Sequence, residues 1–347
     1  MKHRCLFFAL GVTALVAVAQ AQTALNTALT SSKAVKNAGN PTRLSDGHPD
    51  LQGFWSNNNA TPLERPKELN GRATLTDEEL AKMKAKAHEL FGGTGDAAFG
   101  DQVYNTVLAN VLGVKSGFKS TDGETGDYSS VWTVERVWDN RTSLITDPQD
   151  GRMPALTPEG KKRQAAAYAG MLKAPNGPED RGLSERCITY GSPQLMAGYQ
   201  SYYQIMQTPR AVVFMTEMIH DARVISIDAG PHVPSNLVGW QGDSRGHWEG
   251  DTLIIDTTNY RPQAFMSFSS EKLHVTERFS RTDSDTLKYE ITIDDPLTWE
   301  KPWSLMVPLH HSNEPVFEYA CHEGNKGMVG ILAGARAEEA AAAKAKK

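Results

Sequence analysis

The sequence is short of basic charge, of cysteine and of long apolar runs, and each shortage excludes a class of protein. Its 347 residues include 36 lysines and arginines against 41 aspartates and glutamates, which gives a net charge of −5. This balance offers no excess of basic side chains to neutralise phosphates, so nucleic acid is excluded as a partner. Hydrophobic residues make up 39% and charged residues 22% of the chain, as in ordinary globular proteins rather than disordered or polytopic membrane proteins.

Motifs of several common catalytic machineries are also missing. The sequence has no Cys-x-x-Cys, no His-Glu-x-x-His and no Gly-x-x-x-x-Gly-Lys loop, so neither a nucleotide nor a strong metal motif is indicated. The segment 242–246 does place a serine between two glycines. It leads into a hairpin rather than the strand-to-helix elbow of a nucleophilic serine, so we interpret it as a turn. We therefore predict no cofactor.

Residues 1–21 have the three parts of a secretory signal peptide. Lys2 and Arg4 precede an apolar run from Cys5 to Ala19, and the segment ends in Ala19-Gln20-Ala21. The apolar run is shorter than the roughly 20 residues that a membrane span needs, and the small residues at its end are typical of a cleavage site. We predict cleavage before Gln22, export to the periplasm or beyond, and no membrane span in the mature chain.

Export would leave two cysteines, Cys187 and Cys321, in an oxidising compartment. A disulfide between them is the favoured interpretation. Two buried free thiols, or one thiol that binds a metal beside His322, are the alternatives. Because the chain has only two mature cysteines and no close pair, the metal alternative is the weaker one.

The first half of the mature chain is predicted to be an arm followed by helices. Residues 22–45 have no apolar period and are expected to be a flexible lead-in, and 46–200 an extended arm and helical segments that pack on the second half. A Thr-x-x-Glu capping box predicts a helix over 76–91, and Thr157 before Pro158 predicts another over 158–172. A further helix is predicted at 101–114, and the valine-rich and tryptophan-rich segment 129–138 predicts a strand.

The second half, 201–333, is predicted to be an antiparallel barrel or sandwich. Turn signals recur there at about the 8–12-residue spacing of a meandering sheet. The predicted strands are 210–219, 223–228, one around Trp248, Thr252–Thr257, 272–281, 286–293, 303–309 and 315–321. The fold class is thus mainly β with N-terminal helices. Residues 334–347 are an alanine- and lysine-rich tail that is predicted to be a solvated helix or a frayed end.

Strand alternation places acidic residues among apolar ones. Glu217 follows Val213 and Met215 on one face, with His220 on the other, and Glu277 lies between Val275 and Phe279. A buried carboxylate must be paired or neutral, and a neutral one is suited to acid/base chemistry near neutral pH. The structural alternative is that both acids pair with Arg223, Arg278 or Arg281 and hold the strands in register.

Most of the ten histidines lie in the β-rich half, beside several acids. Such residues are zinc ligands in many proteins, so a divalent metal stays an alternative, although no spacing matches a strong motif. Aromatic residues that commonly line organic-ligand pockets are also frequent there. The candidate substrate-binding residues are Tyr199, Tyr202, Tyr203, Trp240, Glu277 and Tyr289, with ordinary core packing as the alternative.

Five segments, DGHPDLQGFW (46–55), ERCITYG (185–191), GDSRGHWEGDTLIIDTTNY (242–260), LHVTERFSRTDSDTLKYEITIDDP (273–296) and YACHEGN (319–325), resemble a family of exported bacterial proteins. That resemblance spans nearly the whole mature chain and implies export without a particular mechanism. The strand–turn rhythm of 248–309 is similar to that of calycins, the lipocalin-like barrels. This second resemblance implies a small-molecule cavity, since calycin-like proteins include carriers and cofactor-free lyases, hydratases and isomerases.

The sequence thus predicts an exported enzyme that performs acid/base chemistry on a small organic or carbohydrate-like molecule in a barrel cavity. The candidate catalytic residues are Glu217 or Asp221 as proton acceptor, His220 or His247 as proton donor, and Arg223 as an anion-orienting group. Two other functions stay open, a carrier of a hydrophobic ligand and a metal-dependent hydrolase. The oligomeric state is left undetermined.

Overall fold

The computed structural model describes residues 42–91, 101–114, 136–195 and 197–345. The predicted signal peptide, most of the predicted lead-in and most of the strand predicted at 129–138 lie outside these ranges. Of that strand, residues 136–138 are described, and Val137 makes only an isolated bridge to Asn59.

Ten strands form one sheet. They are β1 (Gly53–Ser56), β2 (Ile145–Asp147), β3 (Tyr202–Thr208), β4 (Ala211–Thr216), β5 (Ala222–Ile227), β6 (Asp243–Glu249), β7 (Thr252–Thr258), β8 (His274–Arg281), β9 (Thr286–Asp294) and β10 (Trp303–Ser312).

Nine of these strands close into a barrel in the order β1-β3-β4-β5-β6-β7-β8-β9-β10, because β10 also pairs with β1. The pairing of Phe54 with Ser312 and of Trp55 with His311 joins the two ends. All neighbours are antiparallel except β5 and β6, which pair in parallel through Ser226–Arg245 and Ile227–Gly246. The mainly β, lipocalin-like class predicted from the sequence is therefore confirmed.

Alternation along β8, β9 and β10 builds the core of the barrel. In β9, Leu287, Tyr289, Ile291 and Ile293 are buried and their neighbours are not. In β10 the buried set is Trp303, Leu305, Val307 and Leu309. This two-residue period is what a sheet with one face on a core requires.

The helices are α1 (Asp77–Phe91), α2 (Gln102–Val111), α3 (Pro158–Leu172), α4 (Cys321–Gly324) and α5 (Lys326–Ala345). The first two pack on each other around Met83, Tyr104 and Val107, which form a small separate core. In α3, Thr157 caps the helix by accepting a hydrogen bond from the Gly160 amide at 2.9 Å. Its own hydroxyl donates to the Leu297 carbonyl at 2.7 Å, so the cap also ties α3 to the barrel.

A strap of residues 42–52 runs from Thr42 into β1 and binds the β6–β7 hairpin. Arg43 donates to both oxygens of Asp251 at 2.8 and 2.6 Å. The His48 ring stacks on Trp248 with centroids 4.5 Å apart. Two of the segments that define the resemblance thus contact each other, since His48 lies in 46–55 and Trp248 in 242–260.

Several expectations at the ends of elements are wrong. The strand predicted over 210–219 ends at Thr216, and Met218–His220 forms a 3-10 turn instead. No strand forms at 315–321, where Cys321 begins α4. By contrast, α5 extends through Ala345 and agrees with the helical interpretation of the tail. Arg43, within the predicted lead-in, hydrogen-bonds to Asp251.

Candidate functional site

One end of the barrel holds a small hollow that reaches the interior. Its volume is about 30 Å³, which is room for about two water molecules. The lining combines aromatic rings with polar and charged groups, as pockets for organic ligands do. Its residues are Gly191, Ser192, Pro193, Gln194, Tyr203, Phe214, Thr216, Asp221, Arg223, Gln241, Phe279, Tyr289 and Leu309.

A buried ion pair crosses the barrel interior beside this hollow. Arg223 on β5 donates from both terminal nitrogens to Glu277 on β8, at 2.6 and 2.8 Å. The Glu277 side chain is fully buried and the Arg223 side chain is 10% exposed. This two-pronged geometry is the strongest form of charge-assisted hydrogen bond. On the sequence alone, pairing of Glu277 with an arginine is the alternative to a catalytic role. The structure shows this pairing, with Arg223, inside the barrel.

Two hydroxyl groups form hydrogen bonds with the ion pair. Tyr289 on β9 donates a short hydrogen bond to the same Glu277 carboxylate, and Arg223 lies 3.2 Å from the Ser192 hydroxyl. Burial, followed by the negative charge of Glu277, raises the pKa of Tyr289 well above its usual value, so the phenol stays protonated. Burial opposes the charge of Arg223, but Glu277 outweighs it and raises the pKa of Arg223. Arg223 and Tyr289 thus act as hydrogen-bond donors.

Asp221 also lines the hollow. Unlike Glu277, it forms no ion pair with an arginine among the described residues. It accepts a hydrogen bond from the Thr189 hydroxyl at 2.6 Å. Burial raises the pKa of Asp221, while hydrogen bonds from Thr189, Gln241 and the Tyr190 amide act in the opposite direction and do not cancel it. A carboxyl group with a raised pKa holds a proton more readily than an exposed aspartate, which suits it to acid/base chemistry.

The turn between β4 and β5 holds Asp221 in place with an uncommon backbone. Ile219 and His220 have φ angles of +63° and +57°, and a β-branched residue with positive φ is a genuine outlier. The ends of the turn are fixed, since the Thr216 amide donates to the Asp221 carbonyl at 2.8 Å. Backbone strain of this kind is typical of functional sites.

Glu217 lies in the same turn but does not line the hollow. It is 1% exposed, and one carboxylate oxygen accepts from the Phe317 amide at 3.4 Å. The other oxygen has no hydrogen-bond partner among the described residues. Burial raises the pKa of Glu217, against weaker hydrogen bonds from Phe317 and Tyr202. The strand alternation used to orient Glu217 does not reach it, because β4 ends one residue earlier.

Of the candidate catalytic residues, the structure brings only Asp221 and Arg223 to the hollow. His220 is exposed on the β4–β5 turn. His247 is exposed on the outer face of β6, 3.4 Å from Glu249. Neither imidazole lines the hollow, so the geometry does not place them as its proton donors.

The candidate substrate-binding residues are divided in the same way. Tyr203 and Tyr289 line the hollow, and Glu277 anchors Arg223 and Tyr289 from beside it. Tyr199 and Tyr202 are partly exposed and outside its lining. Trp240 is partly buried beneath Arg261, with 5.3 Å between the guanidinium carbon and the ring centroid.

The polar residues that sequence reasoning missed come mainly from one loop segment. This wall segment, residues 187–194, supplies Ser192, Pro193 and Gln194 to the hollow and Thr189 to Asp221. The disulfide between Cys187 and Cys321 fixes its start, with Cα atoms 5.7 Å apart. The disulfide predicted from the sequence is therefore present. The ERCITYG segment, 185–191, was the one sequence signal for the wall segment, because it contains both Cys187 and Thr189.

Within the described parts of the chain, no three histidine, cysteine or acidic side chains are grouped so that they could hold a metal ion. Over the same residues, none of the helices is both long enough and apolar enough to cross a bilayer. Comparison of the chain with models of protein families, with curated proteins and with solved structures gives no match.

Proposed function

We propose that this protein is an exported enzyme that performs acid/base chemistry, without a cofactor, on a small polar organic molecule at the mouth of the barrel. In this proposal Asp221 accepts and returns the proton. Arg223 and Gln241 orient an oxygen of the substrate, and the Tyr289 phenol keeps the Glu277 carboxylate directed at Arg223. Reactions of this type include eliminations, isomerisations and hydrolyses.

The observation that supports the proposal is an acid with a raised pKa in the same hollow as a buried guanidinium. Ionisable groups are costly inside a barrel, and their concentration at one cavity is typical of functional sites. The signal-peptide pattern of residues 1–21 and the disulfide are both compatible with export.

The size of the hollow favours catalysis on a small molecule over carriage of a hydrophobic ligand. Pockets that bury a drug-sized ligand usually measure about 300–1,000 Å³, whereas this hollow measures about 30 Å³. Large buried side chains, among them Trp55, Phe279 and Trp303, pack in the core of the barrel. A substrate larger than a few atoms would therefore bind at the mouth, or after the wall of the hollow moves.

Hydrogen–deuterium exchange into substrates tests the proposal even while the substrate is unidentified. The protein is incubated in D₂O with a panel of small sugars, hydroxy acids and keto acids, and deuterium incorporation and product formation are followed by NMR and mass spectrometry. We expect turnover of at least one compound, and a loss of about 10²–10⁴-fold in Asp221→Asn, the usual contribution of a general base.

The matched control is Asp285→Asn, which changes an exposed aspartate in the turn between β8 and β9 and should leave turnover unchanged. Equal turnover by Asp221→Asn and the native protein would contradict the assignment of Asp221. Failure of every compound in the panel to react would count against the enzymatic proposal itself.

A further inference from the structure

The loop that joins β5 to β6 contributes one residue to the lining of the hollow. This cover loop, residues 228–242, makes the parallel crossover from β5 to β6. Near its end, Gln241 lines the hollow and hydrogen-bonds to Asp221. The cover loop is therefore in direct contact with the acid to which we assign proton transfer.

Residues 229–238 of the cover loop are held mainly by polar contacts, whereas beyond them Gly239 hydrogen-bonds through its backbone to Asn259 and Arg261 and Trp240 packs against the barrel core. Leu237 is 57% exposed and Val238 is 40% exposed. The Asn259 side-chain amide donates to the carbonyls of Val233, Pro234 and Leu237 at 3.0 to 3.2 Å. A segment with few buried apolar contacts opens at low cost compared with the barrel core.

The most directional anchor of the cover loop is His232, whose imidazole lies between two carboxylates. Its Nδ1 is 2.8 Å from Asp243 on β6, and its Nε2 is 2.7 Å from Asp256 on β7. Ionised carboxylates only accept hydrogen bonds, and a neutral imidazole carries a single N–H. Both contacts are therefore satisfied together only when the ring is a doubly protonated imidazolium.

The charged neighbours of this contact come from three strands. Asp243 also binds Arg245 at 3.0 Å on β6, and Asp256 also accepts a hydrogen bond from His274 on β8. Partial burial lowers the pKa of His232, but the hydrogen bonds and charges of Asp256 and Asp243 outweigh this effect and raise it. A histidine with a raised pKa keeps its folded-state contribution at low pH and loses it as the pH rises through that pKa.

We propose that the cover loop is a pH-dependent gate over the hollow, closed while His232 bridges Asp243 and Asp256 and released when that ring loses a proton. Release moves Gln241 away from Asp221 and enlarges the entrance to the hollow. The consequence for turnover rests on the proposed function, whereas opening of the loop does not. A gate also explains how a hollow of about 30 Å³ admits an organic substrate.

Backbone amide exchange measures the opening directly and needs no substrate. The protection factor of the amides in 229–241, corrected for the intrinsic rate at each pH, is followed by mass spectrometry between about pH 5 and pH 9, the range over which histidine titrates. We expect protection to fall by up to about tenfold per pH unit between the ordinary pKa of histidine, which applies in the open loop, and the raised pKa of His232 in the closed loop, as for one linked proton, and to level off above it. Amides of the barrel strands β8 to β10 should show no such fall.

Two variants and a control decide the role of the histidine. His232→Gln should show low protection in the cover loop at every pH, because the glutamine amide carries no positive charge and both of its N–H groups are on one nitrogen, so it does not reproduce the two separate N–H donors of the imidazolium. Asp243→Leu, which leaves the imidazole in place but removes the oxygen that accepts from it, should show the same loss. His247→Gln, which changes an exposed histidine on β6, should behave as the native protein.

A pH-independent protection factor in the native protein, or native protection in both the His232 and the Asp243 variant, would overturn the gate. If the loop opens as expected but Asp221→Asn does not affect any reaction, the gate stands and the proposed function fails.

Discussion

At the scale of single residues, the interior of the barrel depends on the pairing of Arg223 with Glu277. Removing one partner of a buried ion pair leaves an uncompensated charge, which costs about 3–5 kcal/mol. We therefore expect Arg223→Met to lower the free energy of unfolding by that amount, measured by urea denaturation followed by circular dichroism. The double variant Arg223→Met, Glu277→Leu should recover most of the loss, because it buries no lone charge.

The matched control for this prediction is Arg278→Met. Arg278 is the next residue along β8 after Glu277, but its side chain is 43% exposed beside Glu249. Exposed ion pairs contribute about 0–1 kcal/mol, so its loss should be nearly neutral. A loss of under about 1 kcal/mol in Arg223→Met would show that Glu277 is not held as a buried carboxylate.

Glu217 gives a prediction about pH and stability. Its pKa is raised in the folded protein, so the folded state binds more protons than the unfolded state between the two pKa values. Its contribution to stability is thus complete below the ordinary glutamate pKa and is lost as the pH rises through the raised one. Glu217→Gln mimics the protonated acid, so it should match the native protein at low pH and be more stable at neutral pH.

Thermal unfolding at several pH values measures this difference. Glu318→Gln, an exposed acid in the segment that follows β10, is the control and should leave the pH profile unchanged. Parallel profiles for the native protein and Glu217→Gln would mean that the pKa of Glu217 does not differ between the folded and the unfolded state.

At the scale of elements, α3 is placed on the barrel by a glycine. A Cβ atom added to Gly160 would lie 2.3 Å from the Thr298 carbonyl oxygen, whereas one added to Gly170 meets nothing within 4 Å. Alanine is intrinsically better than glycine in a helix by roughly 0.5–1 kcal/mol. Gly170→Ala should therefore stabilise the protein slightly, and Gly160→Ala should destabilise it despite the same gain in propensity.

Chemical denaturation of the two alanine variants tests this packing. Both variants gain the same helix propensity, so the difference between their free energies of unfolding reports only the contact of residue 160 with the barrel. A stabilising Gly160→Ala would mean that α3 shifts freely on the barrel.

The same scale shows what the sequence could predict. The bounds of α3 follow from Thr157 and Pro158, and β9 and β10 follow from alternation, because these signals are local. The strand β1 has four residues and pairs on both edges, and its place between β3 and β10 depends on contacts more than 140 residues away. No local pattern encodes such closure, and for the same reason Thr189 and Gln241 could not be assigned to one site.

For the whole molecule, the disulfide between Cys187 and Cys321 joins the wall segment to α4 across a separation of 134 residues. The strands β3 to β10 all lie within the loop that it closes. By the loop-entropy argument, a crosslink of this span restricts the unfolded chain by about 4–5 kcal/mol. We expect the double variant Cys187→Ala, Cys321→Ala to lose stability of this order.

Guanidinium denaturation with and without a thiol reductant checks this expectation and supplies its own control. Reductant should destabilise the native protein to the level of the double variant and should not change the variant itself. An unaltered midpoint in reduced native protein would show that the bridge does not restrict the unfolded chain. A loss of the expected size means that the barrel reaches full stability only where the two thiols are oxidised, as they would be in the exported protein that the signal-peptide pattern predicts.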